Sequence, residues 1–382
     1  WLEAFVYLFQ SHTIIAIVLA IALATISIPV LAVDISDASK KSGINAPAVE
    51  SFGFGKTPGY LLMPIPIVDP TIGNGLALGA MFTLPADSDQ HTRQTNSYTV
   101  GGFYTDTGSW AIGLQEQDYF LDDSLRLSTA LVHGQFNLKY YGSSADSPLA
   151  DNPMDYSLKG TFLKPRLLLR LFDSNFFLGS QLTVSRIKTK LDEFTDEIPQ
   201  EDIDDKTYGL GVVGQYDSRD NAFSATQGSY TEVTYDVFDR ARHSGFSYKK
   251  MESFYNYYAT LNPGWVAVFQ AQADFSHGDV PFYALPYINL RGFPAGRYIA
   301  QNAASLQTEL RWTFANRWGA LAFMGAGKVA DDIRDYDDSE TIGSYGLGVR
   351  FMASVEDRIN LGIDLASGPD DTAIYFRIGE AF

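Results

Sequence analysis

The side chains with most chemistry to offer are charged residues set singly into alternating apolar runs, and Arg291 in Leu290-Arg291-Gly292-Phe293 is the one most out of place. It lies in a Gly-, Pro- and aromatic-rich stretch over 278–301. Gly292 permits a sharp turn there, and Phe293 supplies an apolar ring to fill space beside a wall. A guanidinium held away from bulk water needs a paired, hydrogen-bonded carboxylate. Glu309 is the candidate, because it shares a polar face with Gln307 and Arg311 in the next alternating segment. The chemistry on offer is ion pairing, a lock rather than a reaction; the alternative is a loop that is merely a lid, with Arg291 solvated.

Catalytic patterns are missing. The five histidines are His12, His91, His133, His243 and His277, and His133 falls on an apolar face with no serine set opposite it. No HExxH, Walker A or CxxC pattern occurs, nor a dinucleotide-type phosphate loop. We therefore expect no enzyme, no cofactor and no metal site. A second charged cluster, Asp217, Arg219, Asp220 and Asn221, reads either as an ion-pair network ordering a turn or as a solvated turn. The acidic runs over 192–205 and 331–338 lack the spacing of a calcium loop and read as solvated faces.

The elements that must position these residues are strands. Over 265–275, Trp265, Ala267, Phe269, Ala271, Ala273 and Phe275 share one face, and Gln270, Gln272 and Asp274 the other. Over 304–314, Leu306, Leu310, Trp312 and Phe314 oppose Gln307, Glu309, Arg311 and Thr313. Two-residue alternation between an aromatic-rich apolar face and a polar face is the pattern of a membrane β-barrel strand. Sixteen such segments run from 60 to 382, beginning with 60–68 and 73–84 and ending with 372–382. If strands alternate in direction, every connection longer than twelve residues falls on one side, as outer loops opposite short periplasmic turns do. The fold class expected is all-β, a sixteen-stranded antiparallel transmembrane barrel whose first and last strands close it.

Composition agrees. Aromatic residues make up 14% of the 382, cysteine is absent, and the net charge of −17 leaves nothing to neutralise a nucleic-acid backbone. Residues 13–33 are apolar and uncharged, and small residues before 33 suit cleavage of a leader over 1–32, with a retained anchor as the alternative. A polar linker or tail over 33–57 would follow, then the barrel over 58–382.

Three stretches resemble the BamA/TamA (bacterial surface antigen) superfamily. Leu290-Arg291-Gly292-Phe293 resembles its VRGF/Y loop motif, between the eleventh and twelfth strands. Asp217-Ser218-Arg219-Asp220-Asn221 with Thr226-Gln227-Gly228 resembles its periplasmic turn, and Phe323-Met324-Gly325-Ala326-Gly327 its F-x-D-x-G strand. The terminal alternation, with Ile374, Phe376, Ile378 and Phe382 opposite Tyr375 and Arg377, resembles the signal read by outer-membrane assembly machinery. The resemblance implies a bacterial outer-membrane barrel with the motif loop folded inward and Glu309 as its acidic partner. The family's carboxylate in the strand motif is Gly325 here, so one main pair, Arg291–Glu309, is expected. The resemblance is to the short, barrel-only members, and no client-binding POTRA domain is expected before the barrel.

Two functions follow as expectations. The first is insertion or translocation of protein or lipid, through the seam between first and last strands or with a separate periplasmic partner. The second is a passive pore gated by the Arg291 loop, biased toward anions by the inward set Arg126, Arg166, Arg170, Arg311, Arg350 and Arg377. Expected partners are outer-membrane lipids and lipopolysaccharide, the BAM machinery for the barrel's own insertion, and a second copy if the seam dimerises.

Overall fold

A computed structural model describes residues 59–84, 96–142, 147, 149–191, 202–221, 224–240, 245–355, 358–369 and 371–382. The expected leader, linker and acidic stretch 192–201 lie outside the described residues. Sixteen strands form one antiparallel sheet in chain order: β1 (Gly59–Asp69), β2 (Gly73–Leu84), β3 (Asn96–Thr105), β4 (Trp110–Phe120), β5 (Leu125–Tyr140), β6 (Met154–Arg170), β7 (Phe176–Leu191), β8 (Asp202–Asp217), β9 (Gly228–Arg240), β10 (Tyr248–Asn262), β11 (Trp265–Gly278), β12 (Asn302–Thr313), β13 (Trp318–Ala330), β14 (Ile342–Ser354), β15 (Ile359–Ser367) and β16 (Thr372–Ile378). Short 3-10 turns occur at Phe282–Ala284 and Ile333–Tyr336. β5, β7 and β8, of 16 residues each, are longer than the roughly 9–11 that a tilted strand needs to cross a bilayer. Their ends at the side bearing the long loops are Tyr140, Leu191 and Asp202.

The alternation sorts the faces. Leu306, Leu310 and Trp312 of β12 are exposed while Gln307, Glu309 and Arg311 between them are buried. The same alternation exposes Leu167 and Leu169 of β6, Leu178 and Leu182 of β7, and Leu347 and Val349 of β14. An exposed apolar belt is stable only against hydrocarbon, so the polar face looks into the barrel.

The interior is unevenly built. Across the first six strands part of the interior is an apolar cluster: Ile65, Ile67, Phe103 and Val132 are buried together, with Phe136 and Phe162 packed against them. Along β12 to β16 the inward face is charged.

Closure differs from expectation. β1 and β16 touch, but among the described residues no hydrogen-bonded ladder joins them. Part of the reason is chemical. The Asp106 amide donates to the Asn74 carbonyl at 2.7 Å, so the even-numbered main-chain groups of β2 point to β3 and the odd-numbered ones to β1. Ile65 lies opposite Ala77 and Ile67 opposite Gly75, so odd-numbered residues of β1 answer β2. Pro64 and Pro66 therefore turn their hydrogen-less nitrogens to the free edge.

The last strand also departs from expectation. It ends at Ile378, and Gly379, at φ +73°, turns the chain off the barrel wall. Phe382 then packs with Ala225, Tyr258 and Val268 instead of sharing the outward face of Ile374.

Candidate functional site

The stretch between β11 and β12 runs across the barrel's interior side chains. At one end Phe282 packs edge-on against Tyr140 and Tyr156, each ring centre 5.1 Å away, and the Tyr283 hydroxyl donates to Asp205 at 2.6 Å. Burial and that carboxylate together push the Tyr283 phenol far above its usual range. At the other end the Ala295 amide donates to the Thr71 hydroxyl at 2.8 Å, next to β1.

Between these anchors lies Arg291, which is 5% exposed. Its Nη2 donates to Glu309 Oε2 at 2.9 Å and its Nη1 to Asp364 Oδ2 at 2.8 Å. Nε and Nη2 also donate to Gln307 Oε1, at 3.2 and 3.0 Å. The guanidinium lies flat on Phe323, 3.3 Å from the ring centre. Such stacking suits arginine's planar, weakly hydrated head. The expected single pair is thus incomplete: Asp364 of β15 shares the charge.

The strand motif explains the substitution. A Cβ on Gly325 would meet Leu290 Cδ2 at 2.8 Å, and one on Gly327 would meet Ile288 Cγ2 at 2.7 Å. Phe323, Gly325 and Gly327 make a ring and two hollows on one face of β13, filled in order by Arg291, Leu290 and Ile288. Gly292, at φ +117°, has no room for a side chain beside Ser367 and Gly368, and its amide donates to the Tyr375 hydroxyl at 3.0 Å. Phe293 is buried against Tyr298, ring centres 5.2 Å apart.

Three of the inward arginines extend this network. Arg311 Nε donates to Glu309 Oε1 at 2.6 Å. Arg350 holds Asp364 Oδ1 at 2.5 Å and Glu380 Oε2 at 2.8 Å. Arg377 holds Asp364 Oδ2 at 2.9 Å. Four guanidinium groups thus share the carboxylates of Glu309, Asp364 and Glu380. Charges this dry persist only when paired and hydrogen-bonded throughout. The other three arginines are also engaged. Arg126 and Arg170 converge on Asp123, at 2.6 Å each, and Arg166 meets Glu232 at 2.9 Å. The arginine set offers little free positive charge to a passing anion.

At the short-loop end, Arg219 grips Asp217 with two bonds, of 2.9 and 3.0 Å, and covers the Tyr230 ring at 4.0 Å. Asp220 accepts from Thr226 through main chain and hydroxyl, both at 2.8 Å, and from Arg358 of the neighbouring turn at 2.8 Å. Burial alone would raise Asp220, but these donors outweigh it and bring the carboxyl down to about 2. Asn221 Oδ1 caps the Ser224 amide at 2.8 Å. Of the two readings open for this cluster, the geometry is that of an ordered turn. Arg311 reaches it too, donating to Phe382 O at 3.0 Å and lying 3.4 Å from Ala225 O. The turn and residues 379–382 therefore meet beneath the Arg291 network.

The Omp85 superfamily domain matches residues 68–382. No curated protein matches the chain. Among solved structures, BamA from Haemophilus ducreyi lacking POTRA domains 1-3 is similar over 85% of this chain and 69% of its own, with 14% identity and a TM-score of 0.57. CdiB from Acinetobacter baumannii is similar over 84% of this chain and 59% of its own, with 13% identity and a TM-score of 0.55. CdiB from Escherichia coli is similar over 86% and 63%, with 10% identity and a TM-score of 0.56. The chain thus spans less than two thirds of either CdiB. The family match covers β2 to β16, the motif segment between β11 and β12, and the charged turn alike: the chain belongs to the Omp85 superfamily, and its barrel is one of the bacterial outer membrane.

Proposed function

We propose that this barrel inserts or translocates membrane-bound polypeptide or lipid at its β1–β16 seam, with the Arg291 segment holding the lumen shut from within. The observation that carries this reading is the seam itself. Two strands in contact without a ladder are the weakest join in the sheet, and Pro64 and Pro66 keep donors off one of its edges. The Arg291 network spans β12, β13 and β15, so it stiffens the wall on the β16 side, while β1 is held from the other side by its ladder to β2, by the buried packing of Ile65 and Ile67, and by turn contacts such as Thr71. Opening at the seam would then leave the charged network intact.

The passive anion pore is the weaker reading. Its selectivity would rest on free guanidinium groups, and all six inward arginines have carboxylate partners. The test is reconstitution. Proteoliposomes carrying the barrel are mixed with an unfolded model outer-membrane barrel, and its folding is followed by gel shift. We expect folding faster than in empty liposomes, and loss of that gain when a disulfide joins β1 to β16. Unchanged client folding together with a steady anion-selective conductance would favour the pore.

A further inference from the structure

The lipid-facing belt has one dent. Two successive outward rows cross β10 to β13, Ser253–Ala273–Ala304–Lys328 and Tyr255–Ala271–Leu306–Ala326. Five of these eight residues are alanine or serine. The flanking rows are bulky, with Met251 and Phe275 on one side and Tyr257 and Phe269 on the other. The result is a groove of about 600 Å³ on the outer wall, within the roughly 300–1,000 Å³ of ordinary ligand sites.

Its end toward the long loops carries polar groups. The turn at Ile333–Tyr336 overhangs the groove, and Lys328 Nζ donates to the Tyr336 carbonyl at 2.7 Å, which leaves two ammonium hydrogens for other acceptors. The Tyr336 hydroxyl is buried and has no hydrogen-bond partner among the described residues. A buried hydroxyl without a partner carries a desolvation penalty that a bound acceptor would relieve.

We propose that this groove holds one acyl chain of a membrane lipid, whose headgroup phosphate accepts from Lys328 and Tyr336. The position argues for lipid over protein, because the groove lies in the wall that meets hydrocarbon and its only cation stands at the interfacial end. The exposed aspartates Asp331, Asp332, Asp335, Asp337 and Asp338 around the overhang disfavour a polyanion, so the fit is to a headgroup with a single phosphate. Aromatic and ammonium groups at that height are suited to such an interface.

The experiment uses the full chain refolded into vesicles of phosphatidylglycerol and monogalactosyldiacylglycerol with matched chains, in equal amounts. Mild detergent extraction and native mass spectrometry then count retained lipids. We expect one retained phosphatidylglycerol per barrel, favoured about tenfold over the phosphate-free lipid, the scale of one charge-assisted hydrogen bond. Ala304→Trp fills the groove from the lipid side, so it should abolish retention without altering the heat-shift of the folded barrel on gels. Lys328→Ala should retain lipid but lose the headgroup preference. A wild-type barrel that emerges lipid-free, or shows no headgroup preference, or an Ala304→Trp barrel that retains lipid as well as wild type, would overturn the proposal.

Discussion

Leu290 Cδ2 stands in the space that a side chain at position 325 would need, only 2.8 Å from where a Cβ on Gly325 would be placed. Loop and strand are fitted to each other, and beside the expected Glu309 the second carboxylate on Arg291 comes from Asp364 of β15. This relationship makes the first prediction. Gly325→Asp should destabilise the barrel by about 1–3 kcal/mol through overpacking, read as a lower midpoint in heat-modifiable gel mobility. Pairing it with Leu290→Ala should recover most of the loss. A Gly325→Asp barrel as heat-resistant as wild type would show that the contact does not constrain the loop.

Asp364 serves three guanidinium groups and Glu309 two. Asp364→Asn should therefore cost more than Glu309→Gln. Breaking a buried pair costs about 3–5 kcal/mol, and the asparagine would leave three cations short of a counter-charge. Urea midpoints of refolded protein in bicelles would rank the two variants, and the reverse order would remove Asp364 from the centre of the network.

Arg291→Glu places a third carboxylate between Glu309 and Asp364. Protease protection of 278–301 should fall and the heat-resistant fraction should shrink. Arg291→Met, which keeps the stem over Phe323, should do less harm. Equal and intact protection in both would argue that the aromatic anchors at Phe282 and Tyr283 hold the segment without the arginine.

The pH dependence of the turn has a definite sign. The folded carboxyl of Asp220 titrates at about 2, below its ordinary value of 3.8, so the stability it adds is present above that ordinary value. It fades as pH falls toward 2, when the Arg358 and Thr226 bonds lose their charge. Wild type should lose ground to Asp220→Asn over that window, as measured by tryptophan fluorescence in urea at stepped pH. Parallel curves would mean that the carboxylate adds nothing, as expected of an exposed pair.

Pro64→Val with Pro66→Val returns two amide hydrogens to the seam edge of β1. Each new bond to β16 is worth about 0.5–1.5 kcal/mol, so heat resistance should rise while any acceleration of client folding falls. A rise in neither heat resistance nor amide-exchange protection along β1 would show that β16 is out of reach.

The alternation makes the strands and their faces legible in the sequence, because a membrane wall leaves each side chain only two surroundings. Arg291 and Glu309 stood out for the same reason. Asp364 was visible as the inward acid between Ile363 and Leu365, but two strands separate β15 from β12, and only the curvature of the barrel brings both to one guanidinium. Phe382 breaks the alternation because β16 ends at Ile378, before it. Glu380 held the signal, since its parity would have put a carboxylate on the lipid face, and the chain avoids that by turning inward to Arg350 and Asn360. The Gly325 hollow was read only as a missing charge, because sequence does not say what fills an absent side chain.

The paired prolines of β1 have a bearing on life in a crowded bilayer. A strand border rich in amides invites a stranger's border to zip against it, and neighbouring porins or half-folded clients would find such an invitation hard to refuse. Here two successive nitrogens in the middle of that border are mute, so a visitor can settle alongside yet gains little purchase, and departure stays easy.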